Sequence, residues 1–89
     1  MIAFFNNNSY MAFQVRLDKI DEIKGLVVGL TKTAGRINAI SHENYVVDAR
    51  SLLGLFSLDL SKPITIECED RDFDTVYDIC KELDILVKE

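Results

Sequence analysis

The sequence is poor in the residues that build most metal and cofactor sites. Its 89 residues include one histidine, one proline and two cysteines, and there is no tryptophan. The cysteines, Cys68 and Cys80, form neither a CxxC pair nor a zinc-ligand spacing. Both fall within apolar patterns, so we interpret them as buried, reduced core residues of a cytoplasmic protein. With no glycine-rich phosphate loop either, we expect no metal and no cofactor.

Long apolar runs and an excess of basic charge are also missing. No apolar stretch reaches the roughly 18 residues that a transmembrane helix needs, and residues 1–10 lack the basic region and cleavage site of a signal peptide. The formal net charge is −5, from 15 acidic and 10 basic residues. Because a nucleic-acid surface has to be basic, we expect the protein to bind neither nucleic acid nor membrane.

What remains is a chain that is 48% hydrophobic and long enough for one domain. Its first part contains the polar, aperiodic stretch Asn6-Asn7-Asn8-Ser9, which is typical of a turn or a loop. We therefore predict that residues 1–11 form a loose N-terminal extension and that residues 12–89 form the folded domain.

Four segments show the alternation of apolar and polar residues that is typical of half-buried strands. They cover residues 13–17, 36–41, 45–49 and 64–68, with boundaries good to a few residues. Between the second and the third, Asn44 can take the left-handed conformation that a tight hairpin needs. The only histidine, His42, belongs to this turn, and we interpret it as a solvated turn residue.

The first of three helical segments follows the first strand. Asp18 is its predicted N-cap, an apolar stripe with spacings of three and four runs to residue 34, and Gly35 is the predicted glycine after its C-terminus. Gly25 and Gly29 lower its helix propensity by about 1 kcal/mol each relative to alanine. Because the two lie on one face, close approach of a neighbouring element would compensate.

The two other helical segments lie later in the chain. Ser51 is well placed to cap a short helix of about two turns over residues 51–58. Asp70 or Asp72 is predicted to cap a final helix whose apolar stripe extends to Leu86 and Val87. The order βαββαβα predicts an α+β open-faced β-sandwich, in which a four-stranded antiparallel sheet carries three helices on one face.

This order of elements resembles that of HPr, the phosphocarrier of the bacterial phosphoenolpyruvate-dependent sugar phosphotransferase system. The family reads alanine, a base, serine and then aliphatic residues before a leucine-x-leucine sequence. The closest local likeness to this pattern is Asp48-Ala49-Arg50-Ser51-Leu52-Leu53-Gly54-Leu55-Phe56-Ser57-Leu58-Asp59-Leu60. The resemblance covers residues 12 to 88 in architecture, but it is specific in sequence only in this segment and the strand beside it.

The resemblance implies roles for several residues of that segment. Ser51 matches the family's regulatory serine, which a kinase phosphorylates in Gram-positive members to make a corepressor. Leu52, Leu53 and Phe56 fall where the family exposes an apolar patch that docks its partners. We add Arg50 to these predicted docking residues, since it is also the local group that a phosphate could use. From the residues alone, the favoured interpretation of Ser51 is a helix cap, which is worth about 1 kcal/mol.

The chain departs from the family at the catalytic site. The family places a phosphorylated histidine after the first strand, and here Lys19 or Ile20 occupies that position. The arginine that stabilises the phosphoryl group is replaced by Asp21 or Glu22. A lysine is protonated at neutral pH and a poor substitute for imidazole, and three carboxylates, including Asp18, would repel a phosphoryl group. We therefore assign no catalytic residue.

These observations predict a cytoplasmic HPr-like protein that is not an enzyme and acts as a regulatory protein-binding module, with Ser51 as the residue at which it would be switched. Its partners would be a regulator, a kinase or a phosphotransferase component, and the chain itself would be a monomer or a weak homodimer. Two alternatives stay open. One is an atypical phosphocarrier that uses another residue. The other is a ferredoxin-like small-molecule-sensing domain, although the turn after the first strand has no glycine for such a ligand.

Overall fold

One antiparallel sheet and three helices make up the computed structural model, which describes residues 2–5 and 10–88. Among the described residues, no helix has the length and apolarity needed to cross a membrane. The elements in chain order are β1 (Ile2–Phe5), β2 (Tyr10–Val15), α1 (Ile20–Leu30), β3 (Ile37–Ile40), β4 (Val46–Asp48), α2 (Leu52–Phe56), β5 (Ile64–Glu69), a 3-10 turn (Asp70–Asp72) and α3 (Phe73–Glu82).

The predicted fold class is confirmed. The four predicted strands correspond to β2, β3, β4 and β5, which lie side by side in the order β2-β5-β3-β4 with every neighbouring pair antiparallel. In the hairpin between β3 and β4, Asn44 has a φ of 69°, the predicted left-handed conformation. All three predicted helices are present, so the βαββαβα layout of an α+β open-faced sheet is the observed one.

The N-terminal segment differs from its prediction. The sequence predicts a loose extension over residues 1–11, but residues 2–5 form β1 and pair with β2, so the sheet has a fifth strand. The next strand, β2, begins at Tyr10 instead of Phe13. Pairing with β1 satisfies backbone groups that would otherwise lie exposed along the edge of β2. The domain boundary between residues 11 and 12 stays a prediction, as does the structure of residues 6–9, which lie outside the described residues.

The core lies between the sheet and the helices and is centred on β5. Ile64, Ile66 and Cys68 alternate along β5 with their side chains fully or almost fully buried. Cys80 of α3 is also fully buried, which confirms that both cysteines are core residues with free thiols. Burial, which disfavours the charged thiolate, raises the pKa of each thiol to about 12.

The first helix ends earlier than its apolar stripe predicts. Its last residue is Leu30, not residue 34, and the Thr31 and Thr33 hydroxyls donate hydrogen bonds to the carbonyls of Val28 and Leu30. Threonine competes with the helical backbone in this way, which is why it favours helix ends. Gly35 therefore does not end the helix.

Gly35 is a glycine because of the space around it. A Cβ at this position would collide with the Asp72 carboxylate and lie 2.7 Å from Glu69 Oε2. Two carboxylates that come from the other end of the sequence therefore exclude a side chain here.

The end of α3 also differs from its prediction. The helix ends at Glu82, not near Val87, because the chain reverses at Asp84, which has a φ of 57°. Aspartate is one of the few residues that accept this left-handed conformation. The tail then runs antiparallel to β2, with Leu86 paired to Val15. It thereby pairs with the end of β2 that does not pair with β1.

Close packing between α1 and α3 explains the two glycines of α1. A Cβ at Gly25 would lie 2.8 Å from Leu83 Cδ2, and one at Gly29 would lie 2.7 Å from Ile79 Cγ2. Both separations are shorter than van der Waals contact, so the predicted close approach at this face is confirmed.

The two glycines differ in how much an added methyl group would cost. Ile79 Cγ2 is attached to a stiff β-branched centre, whereas Leu83 Cδ2 lies at the end of a side chain that can rotate. An alanine gains about 1 kcal/mol of helix propensity, and overpacking costs about 1–3 kcal/mol. We therefore expect Gly29→Ala to lower the free energy of unfolding by about 1 kcal/mol and Gly25→Ala to change it by less than half of that. Urea unfolding of the two variants measures this difference, and equal effects would contradict it.

Candidate functional site

The short helix α2 begins at the predicted cap. Ser51 is its N-cap residue, and the Ser51 Oγ accepts a hydrogen bond from the backbone N–H of Gly54 over 3.0 Å. A Cβ on Gly54 would lie 3.1 Å from that oxygen, so the small residue keeps room for the cap. The hydroxyl of Ser51 is half-buried and engaged with the helix that it begins.

Two of the four predicted docking residues project from α2 into solvent. Leu53 is 83% exposed and Phe56 is 46% exposed, and their spacing of three residues places them on one side of the helix. Leu52 is half-buried and packs against the core. Leu55 is fully buried and holds the opposite side of α2 against the core. We call Leu53 and Phe56 the α2 surface.

Arg50 binds the C-terminal end of α1 rather than lying free beside Ser51. Its Nε donates to the carbonyl of Leu30 over 3.0 Å, and one Nη donates to both the carbonyl and the hydroxyl of Thr33 over 2.6 Å. The last carbonyls of a helix have no intrahelical partner, and a cation at this end also suits the helix dipole. Arg50 thus supplies the charged donor that these carbonyls need.

The first turn of α1 is where the family resemblance places a phosphorylated histidine. Lys19 is the N-cap residue and Ile20 is the first helical residue; both are exposed, Ile20 by 58%. Asp18, the predicted N-cap, lies one residue too early, and its place is taken by a lysine, which has no acceptor atom for capping. Neither candidate for the histidine position packs into the core.

Glu22 supplies the missing acceptor at this end of α1. Its Oε1 accepts hydrogen bonds from the backbone N–H groups of Asp18, over 2.8 Å, and Lys19, over 2.9 Å. This is the glutamate half of a capping box without its serine half. Two amides at this terminus, those of Asp18 and Lys19, therefore already bind a carboxylate of the chain itself.

A second cluster of polar side chains joins two loops that the sequence does not connect. His42 is an exposed turn residue, as predicted, but its Nε2 lies 3.7 Å from Asp59 Oδ2. Hydrogen bonds from the hydroxyl and the backbone N–H of Ser61 lower the pKa of Asp59, with a smaller contribution from the charge of His42. The two residues are far apart in sequence, and only the pairing of the strands brings their loops together.

No protein-family model and no curated protein matches the sequence. The geometry of α1 and α2 is therefore what supports a function.

The hydrogen bonds of Arg50 predict a measurable loss of stability when they are removed. Arg50→Ala removes the charged donor of the Leu30 and Thr33 carbonyls, and only the Leu30 carbonyl has the Thr33 N–H and hydroxyl as further donors. We expect the free energy of unfolding to fall by about 2 kcal/mol, since hydrogen bonds to charged groups contribute about 1.5–3 kcal/mol. Chemical denaturation measures the change. Arg50→Lys should recover only part of it, because an ammonium group lacks the guanidinium fork.

Arg36→Ala is the matched control, since Arg36 is exposed and the described residues provide no hydrogen bond to its side chain. We expect this control to change stability by about 0.5 kcal/mol or less. Equal destabilisation by the Arg36 and Arg50 variants would show that the hydrogen bonds to α1 contribute nothing.

Proposed function

We propose that the chain is an HPr-like regulatory module of the cytoplasm that binds protein partners through the α2 surface and does not carry a phosphoryl group on histidine. The observation that carries this proposal is the exposure of Leu53 and Phe56 on a helix whose other side is anchored in the core. The partner classes that the resemblance suggests are a regulator, a serine kinase or a phosphotransferase component.

The α2 surface has the properties of a small docking site. A partner that covers an exposed leucine or phenylalanine side chain removes it from water. This contributes about 1.5–3 kcal/mol to the binding free energy for each side chain that becomes fully buried. The element that bears them is fixed at its start by the Ser51 cap and by the hydrogen bonds of the preceding Arg50. A rigid apolar pair costs less entropy on binding than a mobile one.

Ser51 is the residue at which this surface could be switched. A phosphate on Ser51 retains oxygens that can accept the Gly54 N–H, so modification is compatible with α2. The neighbouring guanidinium of Arg50 is already bound to Leu30 and Thr33, so the phosphate would have to compete with those carbonyls for it. The added charge would therefore remain next to Leu53 and be available to a partner.

The first turn of α1 supports the loss of carrier chemistry. No imidazole is present there, and the carboxylate of Glu22 occupies the amides of Asp18 and Lys19. A phosphoryl group arriving at this terminus would meet carboxylates where the family has an arginine. The atypical-carrier alternative would need a nucleophile elsewhere.

The docking proposal is tested with the HPr serine kinase and ATP. We expect one phosphate on Ser51, and we expect the double variant Leu53→Ser/Phe56→Ser to lower kcat/KM by about tenfold or more, since removal of a central apolar contact costs about 1–3 kcal/mol. The measurement is the rate of mass gain by intact-protein mass spectrometry. Both side chains are exposed, so the variant should unfold at nearly the denaturant concentration of the parent.

Val28→Ser is the matched control, because Val28 is 68% exposed on the α1 helix and does not belong to the α2 surface. It should leave the rate unchanged, and Ser51→Ala should abolish the mass gain. A parent protein that gains no phosphate would rule out the switch at Ser51. Equal rates for the α2 and Val28 variants would rule out the α2 surface as the docking site.

The carrier function is tested with the first enzyme of the phosphotransferase system and labelled phosphoenolpyruvate. We expect no label on the protein, because the first turn of α1 offers a carboxylate where a carrier needs an imidazole. Gel autoradiography detects the label, with an authentic HPr as the positive control. Label stable to base and labile to acid would identify phosphohistidine and overturn the prediction. Label with another stability profile would favour the atypical-carrier alternative.

A further inference from the structure

Two loops lie next to each other and bring three potential metal ligands together. His42 and Glu43 lie in the turn between β3 and β4, and Asp59 lies in the loop between α2 and β5. The three residues each offer one ligand atom, and these atoms all lie within 4.8 Å of one another. An imidazole nitrogen and two carboxylate oxygens form a donor set that suits divalent transition metals, Zn²⁺ among them.

Hydrogen bonds within each loop fix the backbone of the β3–β4 turn and orient the Asp59 carboxylate. The hydroxyl of Ser41, which is buried, accepts the backbone N–H groups of Glu43, over 3.2 Å, and Tyr45, over 3.1 Å, and so sets the course of the turn. On the other side, Asp59 Oδ1 accepts the N–H and the hydroxyl of Ser61 over 3.0 and 2.6 Å. The second oxygen of Asp59 is left to face His42.

The spacing of the His42 and Asp59 ligand atoms is close to what a tetrahedral ion requires. Metal–ligand bonds of about 2.1 Å hold neighbouring ligand atoms about 3.4 Å apart. The His42 Nε2 and Asp59 Oδ2 atoms are 3.7 Å apart, so an ion between them needs almost no rearrangement. Glu43 is exposed, and its side chain can close the remaining distance by rotation.

We propose that His42, Glu43 and Asp59 form a binding site for one divalent transition-metal ion of the Zn²⁺ type, with water in the fourth position. The bound ion would link the β3–β4 turn to the loop that follows α2 and so hold these two loops together. This site is independent of the docking function proposed for the α2 surface, because none of its ligands belongs to that surface.

The thiols of the chain do not compete for the ion. Zn²⁺ binds the thiolate form of cysteine, and Cys68 and Cys80 are fully buried with pKa values raised to about 12. His42 is the only histidine in the sequence, so its loss removes the only imidazole ligand. Loss of metal binding when His42 is substituted would therefore identify the imidazole ligand.

The experiment is a titration of the full, untagged chain with ZnCl₂ by isothermal calorimetry, accompanied by thermal unfolding with and without the metal. We expect saturable binding of one ion per chain and a higher unfolding temperature in its presence. His42→Gln should abolish both effects, since the amide retains the size of the side chain and loses the imidazole. Ser61→Ala should weaken binding by about tenfold, because it frees the Asp59 carboxylate that Ser61 orients.

Glu82→Gln is the control, because it removes a carboxylate from α3 and leaves the cluster intact; its affinity for Zn²⁺ should equal that of the parent. Binding of Co²⁺ with a thiolate charge-transfer band would assign the metal to the cysteines and overturn the proposal. The absence of saturable Zn²⁺ binding by the parent would overturn it too, as would unchanged affinity in His42→Gln.

Discussion

The position of α2 depends on one charged interaction, the binding of the Arg50 guanidinium to the C-terminal end of α1. Arg50, which directly precedes the cap of α2, donates to the carbonyls of Leu30 and Thr33 at the end of α1. The Leu30 carbonyl also accepts the N–H and the hydroxyl of Thr33, so the guanidinium adds a charged donor to this helix end. The same residue therefore closes one helix and fixes where the next begins. This contact therefore also fixes the positions of Ser51 and the α2 surface.

The close packing of α1 against α3 complements this contact on the other side of α1. The helix lies between α2 and α3, and the absence of side chains at Gly25 and Gly29 lets Leu83 and Ile79 approach it. A larger residue at Gly29 would move α1 away from α3, and the carbonyls that Arg50 binds would move with it. The glycines and the arginine thus constrain the same helix from its two sides.

The sequence is sufficient to predict the features that depend on local pattern. Alternation along residues 64–68 predicts β5, since the strand buries every second side chain, and Ser51 is recognisable as a cap from its position before an apolar segment. The end of α3 could not be predicted in this way. Leu86 continues a helical stripe in sequence, but the unpaired backbone of β2 and the left-handed Asp84 favour an extended tail. Where a helical pattern and strand pairing compete for the same residues, the tertiary pairing determines the structure.

The candidate sites show the same difference between contacts that follow from local sequence and contacts that depend on the tertiary fold. The contact of Glu22 with the Asp18 and Lys19 amides spans three and four residues, and the glutamate three positions after the cap is a signal that a search for serine or aspartate caps overlooks. The hydrogen bonds of Arg50 and the approach of His42 to Asp59 span about twenty residues, and no local pattern encodes them. A neighbour in sequence, such as Ser51 for Arg50, is then a poor guide to the side chain's partner.

A fixed carboxylate at the start of α1 has a physical consequence for the proposed function. The stability that Glu22 gives to this helix end does not depend on a transferred group, because the carboxylate is a covalent part of the chain. In a phosphocarrier the same terminus alternates between a charged and an uncharged state, and a partner can distinguish the two. Under the proposed function this alternation is absent, and a signal between states would have to come from a group that can still be modified. Of the residues beside the α2 surface, the Ser51 hydroxyl has this property.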